Sequence, residues 1–252
     1  MGEQSFSDLT IILPTLNEAG NIESLSTELL EVLPGSRVII VDDNSSDGTP
    51  DVARALAARN PQVSLIARQV TPCLTDSIQA GIDAATTGYV AWLDADHSHP
   101  PKVLRQLYEV AKVSGCCIAT RYSKPAESFT DRLPKGEMLA AALSGVLNFS
   151  VNHLLRLKIT DYTSGFIVVR RDLLRGHPLQ GDYGEYFIEL MYYLTRKGVD
   201  LREVYYESPP RQWGESKTGA SHLLLIRRGV KYLWLVSRLI INRSPVSPGT
   251  TS

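Results

Sequence analysis

The apolar run Val90-Ala91-Trp92-Leu93 stops on Asp94-Ala95-Asp96, and His97-Ser98-His99-Pro100-Pro101 follows. Consecutive apolar residues read as a buried strand, and the one-residue spacing lets both carboxylates point past its end into one cleft. Two acidic oxygens at that place suit a hard divalent cation holding a phosphate-bearing ligand. The plain alternative is a polar strand end before a Pro-Pro turn, and for an isolated Asp-X-Asp the alternative prevails. A second apolar run, Val38 to Val41, also ends on acids, Asp42 and Asp43. Taken alone, these read as solvated residues at a strand end.

The elements that must position these acids alternate along the chain. Leu9 to Leu13 reads as a strand ended by Pro14, Asn17 to Gly20 as a turn, and Ile22 to Leu33 as a helix. Asn44 to Thr49 is a tight polar turn in which Thr49 or Ser46 caps the helix carrying Val52, Ala55 and Leu56. Val63 to Ala67 and Cys116 to Ala119 are further strands, the latter leading to Arg121-Tyr122. Helices are expected over Asp76 to Ala85 and Lys102 to Lys112, where Pro100-Pro101 is tolerated because the first helical amides have no partner. Strands written as continuous apolar runs between helices indicate an α/β fold, a mostly parallel sheet with helices on both faces. Ligands of such sheets sit beyond the carboxyl ends of the strands, and both acidic pairs lie at that edge. Ser123 to Gly136, polar with two prolines, is expected as a mobile loop, and Met138 to Leu157 as an apolar helix broken by Gly145.

Composition narrows the class. A chain of 252 residues, 43% hydrophobic, can bury a substantial core, and its net charge of −1 gives no global attraction to nucleic acid. The three cysteines, Cys73, Cys116 and Cys117, have no metal-ligand spacing and suggest a reducing, cytoplasmic compartment. Met1 to Asp8 lacks the pattern of a secretory signal, and no stretch reaches the roughly 18 apolar residues of a membrane span. His222 to Arg243 has a helical pattern in which Leu223, Ile226, Leu233, Leu235 and Leu239 are apolar while Arg227, Arg228, Lys231, Arg238 and Arg243 are basic. It fits a membrane interface at the cytoplasmic face, with Trp234 and Tyr232 at the boundary, and it fits equally a helix packed on the body or on another subunit of a homo-oligomer. Residues 244–252, rich in Pro, Ser and Thr, are expected to be a disordered end.

Six segments stand in order: Leu13-Pro14-Thr15-Leu16-Asn17-Glu18, Val41 to Thr49, Leu93 to Pro101, Thr120-Arg121-Tyr122, Asp161 to Phe166, and Arg211-Gln212-Trp213-Gly214-Glu215-Ser216-Lys217. Together they resemble the family-two inverting glycosyltransferases of GT-A fold, more narrowly the dolichyl-phosphate mannosyltransferase and polyprenyl-phosphate glycosyltransferase branch. The resemblance implies a catalytic domain over residues 1–217, followed by the basic helix over 218–243. It implies that Pro14, Leu16, Glu18, Val41 and Asp43 line the nucleotide pocket, with Leu93 and Ala95 beside them. Asp94 and Asp96, assisted by Ser98, would hold Mg²⁺ or Mn²⁺ against the donor diphosphate, and Arg121, Arg211 and Lys217 would clamp its phosphates. Asp96, Arg121, Arg211 and Lys217 are thus the expected catalytic residues; the bland reading of the three cations is a solvated surface. His97 and His99 read as turn residues, because diphosphate metal sites favour oxygen ligands. Thr163-Ser164-Gly165 is expected as a tight turn lining the acceptor side. Glu189 has two readings, a family position or a buried carboxylate paired with a basic residue.

The implied reaction moves a hexose from GDP-mannose or UDP-glucose to a polyprenyl phosphate. An alcohol acceptor needs a general base, for which Asp161, Asp182, Glu185 or Glu189 could serve, whereas an anionic phosphate needs positioning. Two departures stand out. Thr71-Pro72-Cys73-Leu74-Thr75 replaces the family's glycine-rich turn after Arg68, and Leu139-Ala140-Ala141-Ala142 stands where basic residues are usual, with Arg132 and Lys135 upstream. They keep two alternatives in view: a glycosyltransferase with a soluble small-molecule acceptor, and a non-catalytic nucleotide-sugar-binding protein.

Overall fold

Strand β1 (Leu9–Thr15) pairs in parallel with β2 (Arg37–Asp43) on one side and β4 (Tyr89–Trp92) on the other. The computed structural model describes residues 5–122, 148, 150–155, 157, 159–207, 209 and 222–241. Strand β3 (Val63–Arg68) extends the sheet beyond β2, and β5 (Gly115–Thr120), β6 (Ile167–Arg170) and β7 (Asp200–Tyr205) complete it in the order β3-β2-β1-β4-β6-β5-β7. Only β6 runs antiparallel to its neighbours, β4 and β5. The carboxyl ends of β1, β2, β4 and β5 therefore share one edge.

Alternation along each strand divides the core in two. Ile12, Ile39, Val41, Val90 and Trp92 face helices α3 (Leu74–Ala84), α5 (residues 150–155), α6 (Glu185–Arg196) and α7 (His222–Ile241). Ile11, Leu13, Val38, Ile40 and Ala91 face α1 (Ile22–Val32), α2 (Thr49–Arg59) and α4 (Pro101–Ser114). Burial on both faces is why these strands read as unbroken apolar runs. The mostly parallel α/β sheet expected from the sequence is the one observed.

Three local details differ from expectation. Strand β1 continues through Pro14 to Thr15, because the β4 ladder ends at Ile12↔Trp92 and only β2 pairs beyond it. Neither Thr49 nor Ser46 caps α2; the N-cap is Gly48, with φ +91°, a left-handed conformation that glycine adopts without Cβ strain. Strands β6 and β7 lie where no strand was expected, β6 being only four residues long and β7 an edge strand carrying Asp200, Arg202 and Glu203. The expected loop over 123–136, most of the helix over 138–157 and the end over 244–252 lie outside the described residues.

Helix α3 packs on β1 so closely that a Cβ at Gly81 would come within 2.5 Å of Ile12 Cγ2, a buried β-branched side chain with no room to turn. Gly81→Ala is expected to lower stability by about 1–2 kcal/mol, overpacking outweighing the roughly 1 kcal/mol gained in helix propensity. A lowered urea midpoint at unchanged slope checks it, and a raised midpoint would contradict this packing.

Candidate active site

Both acidic pairs, and Arg121 just past β5, meet at the common carboxyl edge. Asp94 is exposed, whereas Asp96 is only 4% exposed. Asp96 Oδ1 accepts hydrogen bonds from the Ser98 amide (3.0 Å) and hydroxyl (2.6 Å), which orient the carboxylate. His97 takes the left-handed φ of +62° needed for this turn, and its Nε2 lies 3.0 Å from Ser24 Oγ. His99 does more than turn the chain. Its Nδ1 accepts the Asp94 amide hydrogen at 3.0 Å, and its ring stacks on Phe166 with centroids 4.6 Å apart. Burial holds the His99 imidazole below its ordinary pKa, although Asp94 and Asp96 pull the other way. A neutral ring with its proton on Nε2 thus fixes the backbone at Asp94.

At the end of β2, Asp43 is buried and its carboxylate is shared between two partners: Arg68 Nη1 at 2.6 Å from Oδ1, and the Cys73 amide at 2.5 Å from Oδ2. Arg68 also donates to the Cys73 carbonyl and Ser77 Oγ. The segment that replaces the expected glycine turn is therefore stitched to Asp43. Loops β1–α1 and β2–α2 interlock through Asn17 with Ser45 and Ser46, and through the Glu18 amide, which donates to Thr49 Oγ1 at 2.8 Å. Pro14, Leu16 and Glu18 are half-buried at this edge. Val41, Leu93 and Ala95 are buried in the two cores, which leaves only their backbone at this edge.

On the other side, Arg121 forms a two-pronged pair with fully buried Asp161, with Nε to Oδ2 at 2.8 Å and Nη2 to Oδ1 at 2.9 Å. Burial alone would raise the Asp161 carboxyl, but Arg121 and hydrogen bonds from Thr163 hold it below the usual carboxylate range. Arg121 Nη2 reaches Thr163 Oγ1 at 2.7 Å as well, and Gly165 follows at φ +64°. The turn falls at Tyr162-Thr163, one residue before the expected Thr163-Ser164-Gly165, and Arg121 holds it at Thr163. All four carboxylates considered as bases have a basic partner: Asp161 in this pair, Glu189 with His177, whose Nε2 is 2.9 Å from Oε2, and Asp182 and Glu185 with Lys231. Glu189 thus has the basic partner of its structural reading. Asp182 binds Lys231 Nζ, with Glu185 nearby. Arg211 and Lys217 lie outside the described residues.

The donors at the Asp94-Asp96 edge are all oxygens: the two carboxylates and the Ser98 hydroxyl. That set fits Mg²⁺ or Mn²⁺, and no cluster of three or more His, Cys, Asp or Glu among the described residues would enclose the ion in protein. A cation here would complete its shell from ligand phosphate and water, as Mg²⁺ commonly does. Sequence reasoning missed Arg68, Asp161 as partner of Arg121, and the Trp92 indole donating to Tyr186 Oη at 2.9 Å. None of these contacts has a local signal, since each joins residues 25 or more positions apart.

The chain resembles solved structures of the same architecture. Mannosyl-3-phosphoglycerate synthase from Rubrobacter xylanophilus matches with a TM-score of 0.67 at 19% identity, over 95% of this chain and 78% of that one. Glucosyl-3-phosphoglycerate synthase from Mycobacterium tuberculosis, solved with Mn²⁺, UDP-glucose and phosphoglyceric acid, matches with 0.63 at 18%, over 92% and 78%. These likenesses show the GT-A architecture of the sheet and its helices. Residues 10–177 match the model for glycosyl transferase family 2, and the chain belongs to that family. Undecaprenyl-phosphate mannosyltransferase of Micrococcus luteus is 30% identical over 218 residues, 82% of this chain and 85% of that protein. Dolichol-phosphate mannosyltransferase of Saccharomyces cerevisiae is 25% identical over 247 residues, 90% of this chain and 87% of that protein.

Proposed function

We propose that the protein transfers a mannosyl group from GDP-mannose to a polyprenyl phosphate, with inversion at the anomeric carbon. The observation that carries the chemistry is the all-oxygen Asp94-Asp96-Ser98 edge; the names of the two mannosyltransferase relatives support mannose and a polyprenyl phosphate. An acceptor phosphate oxygen attacks C1 of the sugar while the C1–O bond to the diphosphate breaks, and its electron pair leaves with GDP. The product is a mannosyl phosphate lipid. An ionised phosphate has no proton to lose, so the engagement of Asp161 and Glu189 in pairs is no obstacle.

Mg²⁺ or Mn²⁺ held by Asp94, Asp96 and Ser98 would act as a Lewis acid on the leaving diphosphate. Asp43 and Glu18 accept hydrogen bonds from base or ribose. His99 steadies Asp94, and Arg121 with Asp161 holds Thr163, the last residue of the turn that leads into Ser164-Gly165 on the acceptor side. Arg211 and Lys217 keep the role of phosphate clamps in this proposal.

Incubation with GDP-mannose, Mn²⁺ and a short-chain polyprenyl phosphate is expected to yield organic-extractable mannose, and EDTA is expected to stop it. UDP-glucose in parallel tests the sugar and base. Absence of any lipid-linked product with any nucleotide sugar would sink the proposal, and undiminished turnover in EDTA would remove the metal from it. A water-soluble mannoside formed in place of lipid product would transfer the case to a small-molecule acceptor.

A further inference from the structure

The turn that carries Asp96 closes over a residue in an uncommon backbone conformation. Asp96 Oδ1 accepts from the Ser98 amide and hydroxyl, so the turn spans His97, whose φ is +62°. A residue with a Cβ keeps a left-handed φ where the surrounding contacts hold it there. Here those contacts come from α1. His97 is only 7% exposed, its Nε2 lies 3.0 Å from Ser24 Oγ, and its Nδ1 lies 3.8 Å from Glu28 Oε2. Ser24 and Glu28, four residues apart, share one face of the helix. Ser24 gives its own hydroxyl hydrogen to the Asn21 carbonyl at 3.0 Å, so its oxygen is left to accept, and His97 donates from Nε2.

The same helix reaches the other loop of the edge. Asn21, the N-cap of α1, is buried, and its Nδ2 donates to Glu18 Oε2 at 2.8 Å. Hydrogen bonds therefore run without a break from Glu18 through Asn21 and Ser24 to His97, joining the loop after β1 to the turn after β4. The proposed function sets the two ends of this run at the two ends of one ligand, Glu18 at the base or ribose and Asp96 at the diphosphate. We propose that His97 is a positioning residue: braced on α1 through Ser24, it holds the Asp96 carboxylate in register with the nucleotide loop. The role deepens the proposed function and rests on it. It differs from that of His99, which acts on the other carboxylate through the Asp94 amide.

Calorimetric titration of Mn²⁺ into the full chain saturated with GDP, beside initial rates of sugar transfer, tests the brace. His97→Asn keeps a residue suited to left-handed φ but is too short to reach Ser24. It is expected to bind Mn²⁺ about tenfold more weakly and to lose about tenfold or more in kcat, since losing a group that orients a metal ligand costs roughly 10- to 100-fold. Binding of GDP without Mn²⁺ is expected to be unchanged, because Glu18 and Asp43 keep their contacts. His97→Gln, which returns an N–H donor near the place of Nε2, is expected to recover most of both losses.

Ser24→Ala removes the acceptor from the helix side at an exposed position. It is expected to weaken Mn²⁺ binding in the same direction at an unchanged thermal midpoint, which keeps the test decisive if a His97 variant folds poorly. Combining it with His97→Asn is expected to add nothing, because both changes break one contact. Equal Mn²⁺ affinities in Ser24→Ala, His97→Asn and the unsubstituted protein would overturn the role of His97 alone, as would additive losses in the double variant. An unsubstituted protein that binds Mn²⁺ with GDP yet transfers no sugar would strike the proposed function and leave the brace standing. No Mn²⁺ binding at all would remove both.

Discussion

Asp96→Ala is expected to lower sugar transfer by about a thousandfold while leaving the chain folded. Asp96 is nearly buried at the end of β4, and Ser98 holds one of its oxygens by two hydrogen bonds. Losing a preorganised group that acts on charge developing in the transition state costs roughly 100- to 1,000-fold, and under the proposed function a bound cation would lose a ligand as well. The cost to folding is smaller, on the order of 1–3 kcal/mol for a Ser98 amide and hydroxyl left without an acceptor. Asp96→Asn separates the two effects, because its amide oxygen still accepts from Ser98 but carries no charge. Initial rates with GDP-mannose and Mn²⁺, beside thermal melts, check both variants. Full activity in Asp96→Asn would end the metal-binding role, and measurable turnover in the unsubstituted protein would dispose of the non-catalytic reading.

The second large effect belongs to the Arg121–Asp161 pair behind the turn at Tyr162-Thr163. Asp161→Asn is expected to lower stability by about 3 kcal/mol, near the low end for breaking a buried ion pair, because Arg121 keeps 25% of its side chain exposed. A double replacement, Arg121→Met with Asp161→Leu, is expected to recover much of that loss, since it leaves no uncompensated charge. Activity is expected to fall in both, as Thr163 loses the hold of the Arg121–Asp161 pair. The pH dependence has a definite sign. Asp161 sits below its ordinary value of 3.8 in the folded chain, so its contribution is present above that pH and is lost as pH falls through the lower folded value. The unsubstituted protein should therefore destabilise steeply below about pH 4, and Asp161→Asn should lack that part of the acid limb. Denaturant midpoints measured from pH 3 to 7 decide it; parallel curves would remove Asp161 from the acid response.

Much of the first half of the fold is legible in the chain. Apolar runs at Ile11, Val38, Val90 and Cys117 announce strands buried on both faces, and each is a strand in the structure. The polar punctuation after Val41 and Leu93 locates the ligand edge. The second half is less legible for a physical reason: Ile167–Arg170 is too short to show a period, and Asp200–Tyr205 is a half-exposed edge strand with charges along it. Helix α7 shows the same limit from another side. Its amphipathic pattern admits both packing and a free face, and the two coexist, since Leu235 and Leu239 are buried while Trp234 and Ile241 are not.

By itself the sequence determined the α/β class, the acidic pairs at the strand ends and the order of the family's motifs, because these depend on periodicity and neighbouring residues. Only the tertiary structure decided that Arg121 is forked on Asp161, that Arg68 is bound to Asp43, that His99 supports the backbone of Asp94, and that α7 turns Trp234 outward. Such pairings follow from strand order and helix rotation, which bring together residues far apart in the chain or, at His99, aim a turn side chain back at its own strand. No local pattern encodes that placement.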